Sequence, residues 1–289
     1  MKIVFIGLGR MGFPMAGHLA TANLDITVFN RSLKKSKEWS SIYNKPFSDS
    51  LSNLPSNIDL VITCLKDDDA LSEILMNKHL LAKMNPNGCI VDHSTTSKHL
   101  VLKLFSKFTD LNINFYDAPV SGGEAGAING QLSVMVGGEE DCFAATKTIL
   151  DNYSKAIEFI GPSGSGQLTK MVNQICITGV IKSLSEAIHF AQAQESLDLN
   201  KVFNAISGGA AQSWQLDNRF HSMVEGKFDF GFGIDLMIKD LKIAIAEAET
   251  QGIQLDTVKS ILDDYVLLSE KGGGNQDTSS LIKSIASSN

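Results

Sequence analysis

Apolar residues follow two rhythms along the chain, and the change comes a little past the middle. In the first half, short near-continuous apolar runs rich in Val, Ile and Phe alternate with segments of helical period. Residues 2–6, 26–29, 60–64, 89–91, 115–116, 132–136 and 157–160 read as strands. Between them, residues 11–22, 32–41, 69–76, 98–109 and 139–150 read as helices. Strands that are apolar on both faces, alternating with helices, imply a mainly parallel sheet covered on both sides. After "GPSGSG" at 161–166 the helical period runs almost to the end with hardly any strand signal. Residues 167 to about 194 predict one long helix. The expected boundary lies near 162–166, dividing the chain into an α/β domain over 1–163 and an all-helical domain over 164–289.

Composition narrows the class. With 289 residues, 43% hydrophobic and 20% charged, the chain has an ordinary globular balance. A net charge of −7 and the absence of a basic block argue against a nucleic-acid partner. Cys64, Cys89, Cys142 and Cys176 are far apart in apolar surroundings, which predicts reduced, buried thiols rather than a disulfide framework. The six histidines show no ligand spacing, so no metal is expected. No leader-like segment and no membrane-spanning apolar run stand out, so a cytoplasmic protein with no membrane partner is expected.

The first chemistry-bearing stretch is "KIVFIGLGRMG", residues 2–12, a strand running into a glycine turn and a helix. Gly7, Gly9 and Gly12 fit G-x-G-x-x-G: tight turn, close backbone approach to a pyrophosphate, and close helix–strand packing. The spacing alone also fits a structural turn. Its place after an N-terminal buried strand, in a βαβ unit, favours a Rossmann-like dinucleotide site with phosphate at the helix N-terminus. Leu8, Arg10 and Met11 complete the candidate loop. The second strand ends in Asn30, Arg31 and Ser32, where an NAD-preferring site usually has Asp or Glu. A guanidinium attracts a 2′-phosphate that a carboxylate would repel, so NADP(H) is the expected preference, with NAD(H) possible.

A second stretch, "GSGQLTKMVNQ" at 164–174, puts Lys170, Asn173 and Gln174 on one face at the head of an apolar helix. That face is either solvated or lines a site. A third, "DAPVSGGEAGAINGQLSVMVGG" at 117–138, places small residues after a strand end. Ser121, Gly122 and Gly123 there offer backbone N–H groups and a hydroxyl that suit a carboxylate, or else form a structural turn.

Together, and in this order, these three motifs closely resemble the β-hydroxyacid dehydrogenase family. That family includes 3-hydroxyisobutyrate dehydrogenases, tartronate semialdehyde reductases and glyoxylate/succinic semialdehyde reductases. The resemblance runs from the first strand through "IKDLKIA" at 238–244. It implies a Rossmann-like domain followed by an all-helical one, and interconversion of a small β-hydroxy acid and its semialdehyde or oxo acid. It matches Lys170 to the catalytic lysine and Asn173 to an asparagine beside it. It implies substrate binding at Ser121, Gly122, Gly123 and Asp240, and cofactor contacts from Leu65, Lys66, Thr95 and Lys239. Phe228, Phe230 and Phe232 wall the substrate pocket or pack in the core, with Phe232 taken as the candidate contact. The resemblance also implies a homodimer or homotetramer and a small carboxylate substrate.

Two departures from the family pattern bear on the substrate. The usual glycine-rich turn before the fourth strand reads "NKHLLAKMNPNG", and Gln174 stands where many members have a second asparagine. Three other readings fit less well. Imine reductases usually carry an acid at the position of Lys170. A non-catalytic nuclear module would have lost the lysine and gained a basic appendage. The 6-phosphogluconate dehydrogenase branch needs a longer helical part. Along the long helix, Lys182, Glu186 and His189 read as solvated or interface residues, and Asp277 as the cap of a final helix.

Overall fold

The computed structural model describes residues 1–286, and residues 287–289 and the side chains of Cys142 and Ala286 lie outside it. The chain divides into two compact units, Met1–Lys170 and Met171–Asn289.

The first unit is a nine-stranded sheet with helices on both faces. Its strands are β1 (Lys2–Ile6), β2 (Asp25–Phe29), β3 (Phe47–Ser48), β4 (Ile58–Thr63), β5 (Met84–Asp92), β6 (Asn114–Asp117), β7 (Val120–Ser121), β8 (Leu132–Gly137) and β9 (Ser154–Gly161). The order is β3-β2-β1-β4-β5-β6-β8-β7, with β9 also paired to β8. Every pairing is parallel except those of β8 with β6 and β7. The helices are α1 (Gly12–Thr21), α2 (Leu33–Tyr43), α3 (Asp68–Leu75), α4 (Lys78–Leu81), α5 (Lys98–Asp110), α6 (Gly123–Ile128) and α7 (Ala144–Leu150). Strand β1 shows why these runs are apolar throughout. Ile3 and Phe5 enter one core with Met15, Leu19 and Trp39, while Val4 and Ile6 enter the other with Leu71, Leu104 and Phe108. The chain leaves β1 toward β2 and β3, then returns to β4 on β1's other side. Open α/β sheets bind ligands at the carboxyl ends of strands beside such a reversal.

The expected strands and long helices are all present, with shifted ends. Strand β5 starts at Met84, ahead of the expected 89, because "MNPNG" carries turn residues that mask its pairing with β4. The expected helix 139–150 is a 3₁₀ turn, Glu140–Cys142, followed by α7. Strands β3 and β7 and helices α4 and α6 have no counterpart in the sequence pattern, since two to six residues are too few to show a period.

Helix α8 (Ser165–Gln192) begins in the first unit and continues through the second. The second unit adds α9 (Leu199–Ser207), α10 (Trp214–Glu225), α11 (Ile234–Thr250), α12 (Asp256–Leu268) and α13 (Ile282–Ala286). One core gathers Ile181, Met237, Leu241, Ile261 and Tyr265, and a second gathers Leu184, Ile188, Leu216, Phe220 and Phe228. Among the described residues, no helix is long and apolar enough to cross a membrane.

One expectation needs correction. Cys64, Cys89 and Cys176 are free, but of these Cys89 is buried, Cys64 is half-buried and Cys176 is exposed, and Cys142 falls outside the described side chains. The apolar sequence neighbours of Cys176 point elsewhere around α8, so they do not cover it. Lys182, expected as a solvated or interface residue, is half-buried, and its ammonium pairs with Asp264 of α12 at 2.9 Å and with Glu186 at 3.7 Å.

Candidate active site

The glycine turn is built around contacts that exclude side chains. Gly7 follows β1 with φ +102°, and a Cβ there would run into the Cys64 carbonyl just past β4. At Gly9 a Cβ would meet nothing within 4 Å, so the backbone stands bare at the mouth of the turn. Asn30 braces the loop: its Oδ1 accepts from the Leu8 N–H at 2.9 Å, and its Nδ2 donates to the Ser32 carbonyl at 3.2 Å. Arg10, Arg31 and Ser32 are exposed, Met11 is half-buried, and the first turn of α1 carries no acid. A groove of about 500 Å³ runs alongside, lined in part by Leu8, Gly9, Arg10 and Lys35. Bare backbone, an uncompensated helix N-terminus and an exposed guanidinium suit a dinucleotide phosphate.

The loops after β4 and β5 are tied together. Leu65 N–H donates to Ser94 Oγ at 2.9 Å, and Ser94 Oγ donates to Asp92 Oδ1 at 2.5 Å. Thr63 Oγ1 reaches the same oxygen at 2.7 Å. Among the described residues Asp92 Oδ2 is buried without a hydrogen-bond partner, and burial pushes this carboxyl up to about 7. Further along, Ser97 donates through N–H and Oγ to the two oxygens of Asp68. Thr95 sits half-buried between these anchors, and Lys66 is exposed.

The start of α8 is fastened to the sheet. Asp117, paired in register with Asp92, accepts from Gly164 N–H at 2.7 Å and Gln167 N–H at 2.9 Å. Burial raises its carboxyl to about 6, against the pull of those bonds. Lys170 follows one turn later and is only 8% exposed. Its Nζ donates to the Val120 carbonyl at 2.9 Å. Val120 and Ser121 form β7, and the chain then enters α6 through Gly122 at φ +126° and Gly123 at φ +63°. Both values lie where side chains are disfavoured, which accounts for the paired glycines. The polar face of this helix start is therefore not solvated: Gln167, Lys170 and Gln174 are all buried.

The second unit holds its own polar chain. Asn173 Nδ2 donates to Gln174 Oε1 at 2.8 Å, Gln174 Nε2 donates to Asp240 Oδ2 at 2.6 Å, and Lys239 Nζ lies 2.9 Å from Asp240 Oδ1. Lys239 thus carries a compensated charge. Phe228 packs in the core, the second of the two places open to it from sequence. Phe232 is partly buried, and its N–H donates to Asp277 Oδ2 at 3.0 Å. Asp277 also caps the 3₁₀ turn Thr278–Leu281 and pairs with Arg219, whose guanidinium lies 4.8 Å from Trp214 and 4.9 Å from Phe230.

Sequence reasoning missed Asp92, His93, Asp117, Tyr153 and Gln167. His93 Nδ1 sits 2.6 Å from the Ala118 carbonyl and Nε2 sits 2.8 Å from the Tyr153 hydroxyl. Facing a carbonyl, Nδ1 carries the proton, and burial lowers the imidazole to about 4. The invisible part is strand register, which alone brings Asp92 beside Asp117.

Comparison with known proteins adds two family matches. Residues 2–161 match the NAD-binding domain of 6-phosphogluconate dehydrogenase. Residues 164–285 match the NAD-binding domain of NADP-dependent 3-hydroxyisobutyrate dehydrogenase. An uncharacterised oxidoreductase of Shewanella frigidimarina is 45% identical, covering 97% of each chain. The 2-hydroxy-3-oxopropionate reductase of Escherichia coli is 31% identical over 99% of this chain and 97% of its own. The solved 3-hydroxyisobutyrate dehydrogenase of Mycobacterium tuberculosis with L-serine superposes with a TM-score of 0.88 at 25% identity, covering 98% of both chains.

Proposed function

The chain belongs to the 3-hydroxyisobutyrate dehydrogenase-like family of NAD(P)-binding oxidoreductases, and on that premise we propose that it interconverts a small β-hydroxy acid and its semialdehyde or oxo acid, with Lys170 as general acid/base. The observation that carries this reading is the buried Lys170 ammonium on the Val120 carbonyl, at the root of the Ser121-Gly122-Gly123 turn. A proton-transfer group needs a place within reach of the substrate oxygen and out of bulk water. The burial of Lys170 beside a turn suited to a carboxylate supports that role.

A nicotinamide cofactor, when bound, would supply or accept the hydride. The chain's own task is to hold the substrate and move one proton. In reduction Lys170 Nζ donates to the forming alkoxide, and in oxidation it takes the hydroxyl proton. Ser121, Gly122 and Gly123 hold the carboxylate. Asn173 bonds the substrate oxygen without adding charge. Asp240 and Phe232 support and border the substrate. Gly7 through Gly12, Leu65, Lys66, Thr95 and Lys239 are the residues that would hold the cofactor. Arg31, with Asn30 and Ser32, favours NADP(H) over NAD(H).

This reading assigns cofactor binding to residues 1–163, and substrate and subunit contacts to 164–289. On α8, Val172, Cys176, Val180 and Phe190 form an exposed stripe, with Val172 60% and Phe190 67% exposed. Residues 172 and 190 are five full turns apart and so share a face. Such a stripe suits a second copy of the chain, in a homodimer or homotetramer.

The test is a rate panel with NADPH and NADH. β-Semialdehyde acids are compared with aldehydes of equal length that lack the carboxylate. The reading predicts strong preference for the acids and for NADPH. Equal rates on aldehydes without an acid group would contradict it.

A further inference from the structure

The Gln167 side chain is fully buried and makes two bonds to one short stretch of loop. Its Oε1 accepts from the Thr96 N–H at 3.1 Å, and its Nε2 donates to the Ser94 carbonyl at 2.8 Å. These are the peptide groups on either side of Thr95. The carboxamide therefore pairs with residue 95 as a neighbouring strand would. An N–H on one side and a carbonyl on the other also fix which way the amide points. The backbone of Gln167 is itself held by Asp117 Oδ2. One helical turn on, Lys170 reaches the Val120 carbonyl. Two other anchors of the loop, Leu65 N–H to Ser94 and Ser97 to Asp68, tie it to the chain just past β4 and to α3.

We infer that Gln167 is a positioning residue that fixes the Thr95 loop against the helix turn carrying Lys170, and so sets the geometry between hydride transfer and proton transfer. This rests on the proposed roles of Thr95 and Lys170. The physical warrant is that reaction requires both groups in near-attack geometry, and a displacement near 1 Å costs on the order of 10²-fold in rate. A buried carboxamide with both ends bonded to the loop leaves little freedom for such a displacement.

Glutamate at this position gives a discriminating test. In Gln167→Glu, the protonated carboxyl can accept from Thr96 N–H and donate to the Ser94 carbonyl, reproducing both bonds. The ionised carboxylate sets an oxygen against the Ser94 carbonyl and loses one bond. Gln167→Glu and Gln167→Leu are compared with wild type across pH, measuring NADPH affinity, kcat and the isotope effect with NADPH deuterated at the transferred position. The expected result for Gln167→Leu is NADPH affinity within about threefold of wild type, kcat lower by about 10–100-fold, and an altered isotope effect. Gln167→Glu should approach wild type at low pH, with its activity relative to wild type falling as pH rises. If Gln167→Leu does not fold, the pH profile of Gln167→Glu carries the test. A constant ratio of Gln167→Glu to wild type at all pH values, or wild-type turnover by Gln167→Leu, overturns the inference. Lys170→Met is assayed alongside. Full activity there refutes the lysine reading itself, whereas an inactive Lys170→Met beside fully active Gln167 variants refutes only the positioning role.

Discussion

Gln174 donates to Asp240, Nε2 to Oδ2 at 2.6 Å, and this bond sets the polarity of its neighbours. An ionised carboxylate only accepts, so the Gln174 amide nitrogen must face it. Its oxygen then faces Asn173 and takes that residue's amide hydrogen, while Lys239 covers the other Asp240 oxygen. Gln174 and Asp240 are both buried, and a donor lost between them is not replaced by water. Gln174→Leu should therefore lower stability by about 1.5–3 kcal/mol, the usual range for a bond to a charged group. Gln174→Asn is too short to hold both partners and should fall between. Denaturant titration reads both values, and a loss under about 0.5 kcal/mol for the leucine variant, below the usual range, would show that the bond contributes little.

Cofactor choice turns on the end of β2. Asn30 both braces the Leu8 N–H and stands beside the exposed Arg31. Aspartate can accept the same N–H, so Asn30→Asp keeps the bond to Leu8, gives up the exposed bond to the Ser32 carbonyl, and adds a charge that repels a 2′-phosphate. The kcat/KM ratio of NADPH to NADH should drop at least about tenfold, equivalent to about 1.4 kcal/mol. An unchanged ratio would place the discrimination elsewhere.

The buried acids set a pH dependence of stability. Asp92 and Asp117 are raised to about 7 and about 6 from 3.8, so both hold protons in the fold that they release when unfolded. Their contribution is complete below about 4 and is lost as pH rises through 6 to 7. His93 acts in reverse: held near 4 rather than 6.5, its contribution is complete above 6.5 and is lost as pH falls toward 4. Two acids outweigh one imidazole, so these three groups together lower Tm from about pH 5 to about pH 8. Asp92→Asn keeps the Oδ1 acceptor for Thr63 and Ser94 and removes one titration. Its Tm should decline less over that interval. An equal decline in both proteins would mean that Asp92 does not titrate there.

Much of this architecture is legible in the sequence because it is local. Strand Lys2–Ile6 and the turn Gly7–Gly12 lie in one continuous stretch, and their apolar run and glycine spacing report burial on both faces. Helix α8 announces itself by its period, and Lys170 by polarity out of keeping with that period. What stays hidden depends on contacts distant in sequence. Gln167 and Thr96 are 71 residues apart, and Thr63 and Asp92 are 29 apart. No spacing encodes those meetings, since sheet register and the docking of α8 create them. The exposure of Cys176 escapes the sequence for the same reason, because burial depends on what covers a helix and not on its neighbours in the chain.

The role of Lys170 is tested most directly by one comparison: single-turnover reduction of a β-semialdehyde acid by NADPH-saturated wild type and Lys170→Met. Methionine fills roughly the same stem and removes the ammonium that reaches the Val120 carbonyl. Loss of a general acid typically costs about 10²–10⁴ in rate. The account predicts NADPH binding near wild type with the reduction step slowed by that factor. Reduction within about threefold of wild type, far short of the expected loss, would contradict it.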